Sequence, residues 1–129
     1  MKAVRLLFFL ILVLGFKEPI FAQKNCNNYH NGKFKLVDAT SNVTYIIERK
    51  GSLQTEGIVG TTDKLNFIVN WIDDCTYSLT PTKKTQEFLK SDLVVYTKII
   101  GITTNELVLL TYLKDVPNSE VEMRVQIMN

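Results

Sequence analysis

Residues 65–79 read LNFIVNWIDDCTYSL, and two alternating runs meet within them. Leu65, Phe67, Val69 and Trp71 recur at every second position, and Cys75, Tyr77 and Leu79 do the same beyond Asp73-Asp74. A period of two puts each set on one face of a β-strand, and an acidic dipeptide between two such runs marks a tight turn. A hairpin folded here brings the only Trp, one of two Cys and two further aromatic rings onto one buried surface. That surface is a core, and a core names no activity.

The same rhythm continues outward on both sides. Upstream, residues 32–37 (GKFKLV) point Phe34 and Leu36 inward and Lys33 and Lys35 to solvent, and residues 38–42 form a turn by composition. Residues 43–50 (VTYIIERK) place Tyr45, Ile47 and Arg49 on one face. A turn at Lys50-Gly51 then leads into residues 53–59, where Gly57 suggests a bulge or bend. Downstream, Pro81 ends the strand, and residues 86–89 suit one helical turn capped by Thr85. Residues 93–102 and 106–113 are the most apolar strands, joined at residues 103–105. After a turn at residues 115–119, Val121, Met123, Val125 and Ile127 face in while Glu122, Arg124 and Gln126 face out. The chain therefore reads as all-β, an antiparallel meander of about eight strands. Such a meander closes, fully or partly, into a barrel that holds side chains or one small ligand, with an open two-sheet sandwich as the alternative. Closure is preferred because it removes exposed strand edges.

Residues 1–22 read as a cleaved secretory signal peptide. Lys2 and Arg5 precede the apolar run LLFFLILVLGF (6–16), and a short Pro-containing tail ends at Ala22, placing the cut before Gln23. The competing reading is a membrane anchor. A spanning helix needs about 20 apolar residues, and this run reaches roughly half that before Lys17 and Glu18. Residues 23–129 then form a single exported domain, secreted or periplasmic, with no membrane span once the leader is cut. Gln23 and Asn25 argue against a lipid anchor on Cys26, and Asn42-Val43-Thr44 matches the N-glycosylation pattern. The full chain has 15 Lys+Arg against 13 Asp+Glu. Without Lys2, Arg5, Lys17 and Glu18 the counts are 12 and 12, so no electrostatic case remains for nucleic acid or an anionic membrane as partner.

Cys26 and Cys75 are the only thiols, and in an oxidising compartment an even count points to a disulfide. A catalytic cysteine is the sharper alternative and would need a base beside it. His30 is the only histidine and sits in the polar lead-in QKNCNNYHN (23–31), read as extended, where a solvated loop side chain is expected. Two Cys and one His fall short of a zinc site, and no metal or other cofactor is expected. No phosphate-binding loop and no triad pattern stand out, and Asp73-Asp74 reads as a solvated turn tip, so an enzyme is not expected. One polar set remains. Arg49, Gln54 and Glu56 flank the 50–51 turn; if their faces point inward, an Arg–Glu pair with a Gln would line a lumen and bind a polar ligand group. Facing outward, they would be a cross-strand surface ion pair.

The order GKF, IIER, LQTE, FIVNW, DDCTYSL resembles a family of small exported all-β proteins of Flavobacteria and related Bacteroidetes. That likeness implies export and an all-β fold, and carries no activity. A looser similarity is to the calycins, the lipocalins and fatty-acid-binding proteins. Gly32-Lys33-Phe34 stands where those barrels place Gly-x-Trp, and Arg124 lies on the last strand, where they often carry a basic residue; here Phe replaces Trp and Arg124 points outward. The calycin likeness implies a calycin-type barrel. The expectation is a monomeric, non-enzymatic barrel that binds a small ligand, with a filled barrel meeting a protein partner as the alternative.

Overall fold

The computed structural model describes residues 25–128; the leader expected over residues 1–22 lies outside the described residues. Eight strands follow in chain order: β1 (Gly32–Asp38), β2 (Val43–Lys50), β3 (Leu53–Ile58), β4 (Lys64–Trp71), β5 (Thr76–Pro81), β6 (Val95–Ile102), β7 (Glu106–Leu113) and β8 (Val121–Met128). Each pairs antiparallel with the next, and β8 returns to β1, closing the barrel. Short links favour this order, because the two- to five-residue connections that join most neighbours return the chain beside the strand it left; the β5–β6 link, with its helix, and the β7–β8 link are longer. Gly51 and Ser52 alone join β2 to β3, one position later than the expected turn, and Gly51 takes the left-handed φ of +61°. Closure rules out the two-sheet sandwich.

The decisive hairpin is β4–β5. Trp71 pairs with Tyr77, Val69 with Leu79 and Phe67 with Pro81. Its turn is fixed by Ile72 N donating to Thr76 O (2.8 Å) and by Cys75 N donating to the Asp73 carboxylate (2.9 Å). That second bond holds the exposed Asp73 carboxyl below its ordinary range, so the acidic pair is a turn tip, as its spacing implies. Leu65, Phe67, Val69, Tyr77 and Leu79 are all buried, and they join Phe34, Ile47, Leu107, Leu109 and Val125 from the other strands in one core.

Three local expectations are corrected. The ladder runs regularly through Gly57; the bulge lies in β6, between Ile99 and Gly101. It pushes Ile100 out to solvent and lets Ile99 and Ile102 both face inward. Gly101 is needed there because a Cβ would stand 3.3 Å from Val108 Cβ and Cγ2. Next, the helix α1 (Lys83–Leu89) is capped by Thr82, not Thr85. Thr82 is the last extended residue after β5, so its hydroxyl meets the first helical amides. Thr85 is buried inside the helix, where its hydroxyl accepts from Asn66 N (2.9 Å). Finally, residues 26–29 are not extended: Cys26–Tyr29 form a 3-10 turn.

A meander alternates its links between two ends. One end carries the β2–β3, β4–β5 and β6–β7 turns, and the 3-10 turn is bonded across it by the expected Cys26–Cys75 disulfide, with Cα atoms 5.3 Å apart. The opposite end carries the β1–β2, β3–β4 and β7–β8 links together with α1.

Candidate functional site

The barrel encloses a cavity of about 340 Å³. Its deep wall is apolar, formed by Phe34, Ile47, Phe67, Leu107 and Val125, all buried. Leu36, Glu56, Val95, Thr111 and Met123 also line it but are only half-buried, and every one lies toward the α1 end of its strand. The cavity therefore opens at that end. The opposite end is shut by Cys26, Phe34, Arg49 and Ile102, each under a tenth exposed.

Arg49 and Gln54 face each other across the β2–β3 ladder and point into this interior at 3% and 2% exposure; Glu56 lies two residues further along β3. The surface ion pair is thereby excluded. The geometry also differs from a simple Arg–Glu pair, because Gln54 stands between the two charges. Arg49 Nη1 donates to Gln54 Oε1 (2.7 Å), which turns the amide so that Nε2 donates to Glu56 Oε2 (2.8 Å). The other Arg49 nitrogens face the closed end: Nε donates to His30 O (3.0 Å) and Nη2 to Tyr29 O (2.8 Å). Three aromatic rings surround the guanidinium, Tyr77 at 4.6 Å, Phe34 at 5.1 Å and Trp71 at 5.5 Å. A buried cation requires such partners, since its unmet desolvation would cost several kcal/mol. Arg49 is thus first a clasp, tying the N-terminal turn to the barrel floor.

Gly32-Lys33-Phe34 contributes to the same clasp. Gly32 adopts φ +146° and lets the Phe34 ring fold beneath it, where a Cβ would come within 3.2 Å of Phe34 Cζ. The cation over Phe34 comes from β2, whereas Arg124 on the last strand is exposed, beside Glu106 (3.6 Å) and Glu122 (3.9 Å), as the alternation implies.

His30 corrects the expectation of a solvated loop side chain. Its ring stacks on Trp71, centroids 3.5 Å apart and planes at 13°, and Nε2 lies 2.8 Å from Asp74 O. Nothing in the sequence pairs positions 30 and 71; they meet because the disulfide draws the 3-10 turn over the β4–β5 turn.

Electrostatically the lumen is balanced but unevenly placed. Burial pushes the Glu56 carboxyl above its ordinary 4.5, opposed by the Gln54 hydrogen bond and by the charge of Arg49. Burial likewise raises the Tyr77 hydroxyl, against the nearby Arg49 charge and hydrogen bonding from Arg49 and Thr97. Tyr77 and Thr97 line the cavity and were not among the expected site residues. Their signal was present: Tyr77 is on the inward face of the decisive hairpin, and Thr97 is a lone hydroxyl at an inward position of an apolar strand. Among the described residues no cluster of three metal-ligating side chains occurs. Comparison of the chain with family models, with curated proteins and with solved structures gives no match.

Proposed function

We propose that this chain is an exported, non-enzymatic binding barrel that takes one small, largely apolar ligand through the α1 end. The observation that carries the reading is the cavity itself: about 340 Å³, apolar on most of its wall, with a few convergent polar groups at Gln54, Glu56, Tyr77 and Thr97. Pockets of this size and character are the usual form of small-molecule sites. The filled-barrel alternative, acting only through its surface, has no counterpart in such an interior.

Other features fit the same reading. The disulfide suits an oxidising compartment, in keeping with the leader and with secretion or a periplasmic location. No helix among the described residues is long and apolar enough to cross a membrane. The strands carry the charges of Lys33, Glu48, Lys98 and Glu122 on the outside and a largely apolar wall within, unlike the apolar outer band of membrane-spanning barrels. Closed hydrogen bonding leaves no free edge between β1 and β8 and favours a monomer. Cys26 and Cys75 are bonded to each other and His30 is held against Trp71, so neither is poised as nucleophile or base.

A titration with the neutral fluorophore N-phenyl-1-naphthylamine tests this. Saturable one-to-one binding is expected, together with its loss in Val95→Trp, which places an indole at the mouth. No enhancement, or enhancement unchanged by Val95→Trp, would sink the proposal. Native mass spectrometry of protein from its own host would then show any retained small molecule directly.

A further inference from the structure

Two charged side chains line the cavity, and they do not present themselves to a ligand equally. Arg49 lies at the closed end, with Nε, Nη1 and Nη2 each engaged and three aromatic rings around the guanidinium. Gln54 is fixed by that engagement, carbonyl toward Arg49 and amide toward Glu56. The relay therefore runs donor to acceptor from the floor upward, and it terminates in a carboxyl. Glu56 is two residues beyond Gln54, about 7 Å further along the strand toward the mouth at the usual rise per residue, and it is half-buried where Gln54 is fully buried. A carboxylate has roughly four acceptor positions; among the described residues one is used, by Gln54.

We propose that the lumen is selective for amphipathic amines, whose hydrocarbon body fills the apolar depth and whose ammonium group is received by Glu56 near the mouth. The inference rests on the lumen being a ligand site and adds the charge of the ligand. An ammonium supplies the donors that the end of the relay lacks, and charge-assisted hydrogen bonds are about twice as strong as neutral ones. It also places a cation directly against Glu56, where the Arg49 charge that opposes the cost of burial acts only from beyond Gln54. A ligand carboxylate in the same position would face Glu56 instead, while the Arg49 cation lies deeper, already bonded to Tyr29, His30 and Gln54. Tyr77 and Thr97 offer hydroxyls, which donate or accept and so do not decide the sign, and the Thr111 hydroxyl already donates to Val121 O (3.2 Å). The volume corresponds to about eleven water-sized units at ~30 Å³ each, which suits a chain of about ten carbons with one head group.

Decylamine, decanol and decanoate share that chain and differ only in the head. Displacement of N-phenyl-1-naphthylamine at neutral pH should rank decylamine first and decanoate last, about tenfold or more apart, with decanol between. Glu56→Gln should weaken decylamine by a similar factor and decanol by far less, so that the two heads bind nearly alike. The wild-type comparison requires no variant, so a folding defect cannot obscure it. Decanoate binding as tightly as decylamine overturns the selectivity, and so does an amine affinity indifferent to Glu56→Gln. If decanol fails to displace the fluorophore as well, the lumen is no ligand site and the underlying function falls with it.

Discussion

Replacing Arg49 with Met separates its role as a clasp from any role toward a ligand. Methionine keeps most of the stem and removes the charge and every donor. Three bonds disappear, to His30 O, Tyr29 O and Gln54 Oε1. Water can reach the two backbone carbonyls if the N-terminal turn lifts, whereas the Gln54 oxygen stays inside at a penalty of about 1–3 kcal/mol. Hydrogen bonds to a charged group contribute about 1.5–3 kcal/mol each, set against several kcal/mol of desolvation that the buried guanidinium no longer incurs. Removing one member of a buried charged network ordinarily costs about 3–5 kcal/mol net. In a domain of this size, that lowers the melting temperature by about 12 °C or more. Trp71 is the only tryptophan and stacks on His30, so its emission reports the clasp directly and should shift and broaden as the stack loosens. Replacing Arg49, Gln54 and Glu56 together by Met, Leu and Leu should recover most of the lost stability, because an all-apolar floor leaves no orphaned group. A single variant melting within about 2 °C of the parent, with unchanged Trp71 emission, would refute the reasoning.

Four further outcomes follow from the same geometry. Removing the disulfide by Cys26→Ser with Cys75→Ser frees a separation of 49 residues and should cost about 4 kcal/mol in urea unfolding, on the chain-entropy estimate. Gly101→Ala should destabilise by about 1–3 kcal/mol, since Val108 Cβ belongs to the adjacent strand and cannot yield easily; an unchanged denaturation midpoint would show that the bulge tolerates a side chain. Thr85→Val leaves Asn66 N–H without its acceptor inside the α1 contact, at about 1–3 kcal/mol, read by the same assay. Glu56→Gln should flatten the pH dependence of stability. Folding raises this carboxyl above 4.5, so its stabilising contribution is complete below that pH and is lost as pH climbs through the raised value. Parallel unfolding curves for parent and variant from pH 4 to 8 would contradict that assignment.

How far the sequence reaches depends on the distance over which its signals act. Strand identity, inward faces and the β4–β5 hairpin are local, set by alternation and turn residues, and they are legible at Phe34, Phe67, Tyr77 and Leu79. The inward direction of Arg49 was legible as a condition, because Ile47 two residues earlier shares its face. What stayed hidden is tertiary. The stacking of His30 on Trp71 and the grip of Arg49 on the carbonyls of residues 29 and 30 depend on where the disulfide draws the N-terminal turn, and no periodicity encodes that. A glycine inside a strand suggests a bulge at Gly57, yet the ladder stays in register there and shifts at Gly101, where a Cβ would stand 3.3 Å from Val108. The cap falls at Thr82 and not at Thr85 because β5 ends at Pro81 and leaves Thr82 as the last extended residue.

The stapled floor has a mechanical corollary. With Cys26 bonded to Cys75 across one end, the barrel is a cup and not a conduit. Under the proposed binding role, whatever enters would leave by the route it came, so uptake and discharge would share a single opening beside α1. Such a vessel would store or deliver cargo and not pass it through, with exchange governed by the rim and not by the covalent seal beneath it.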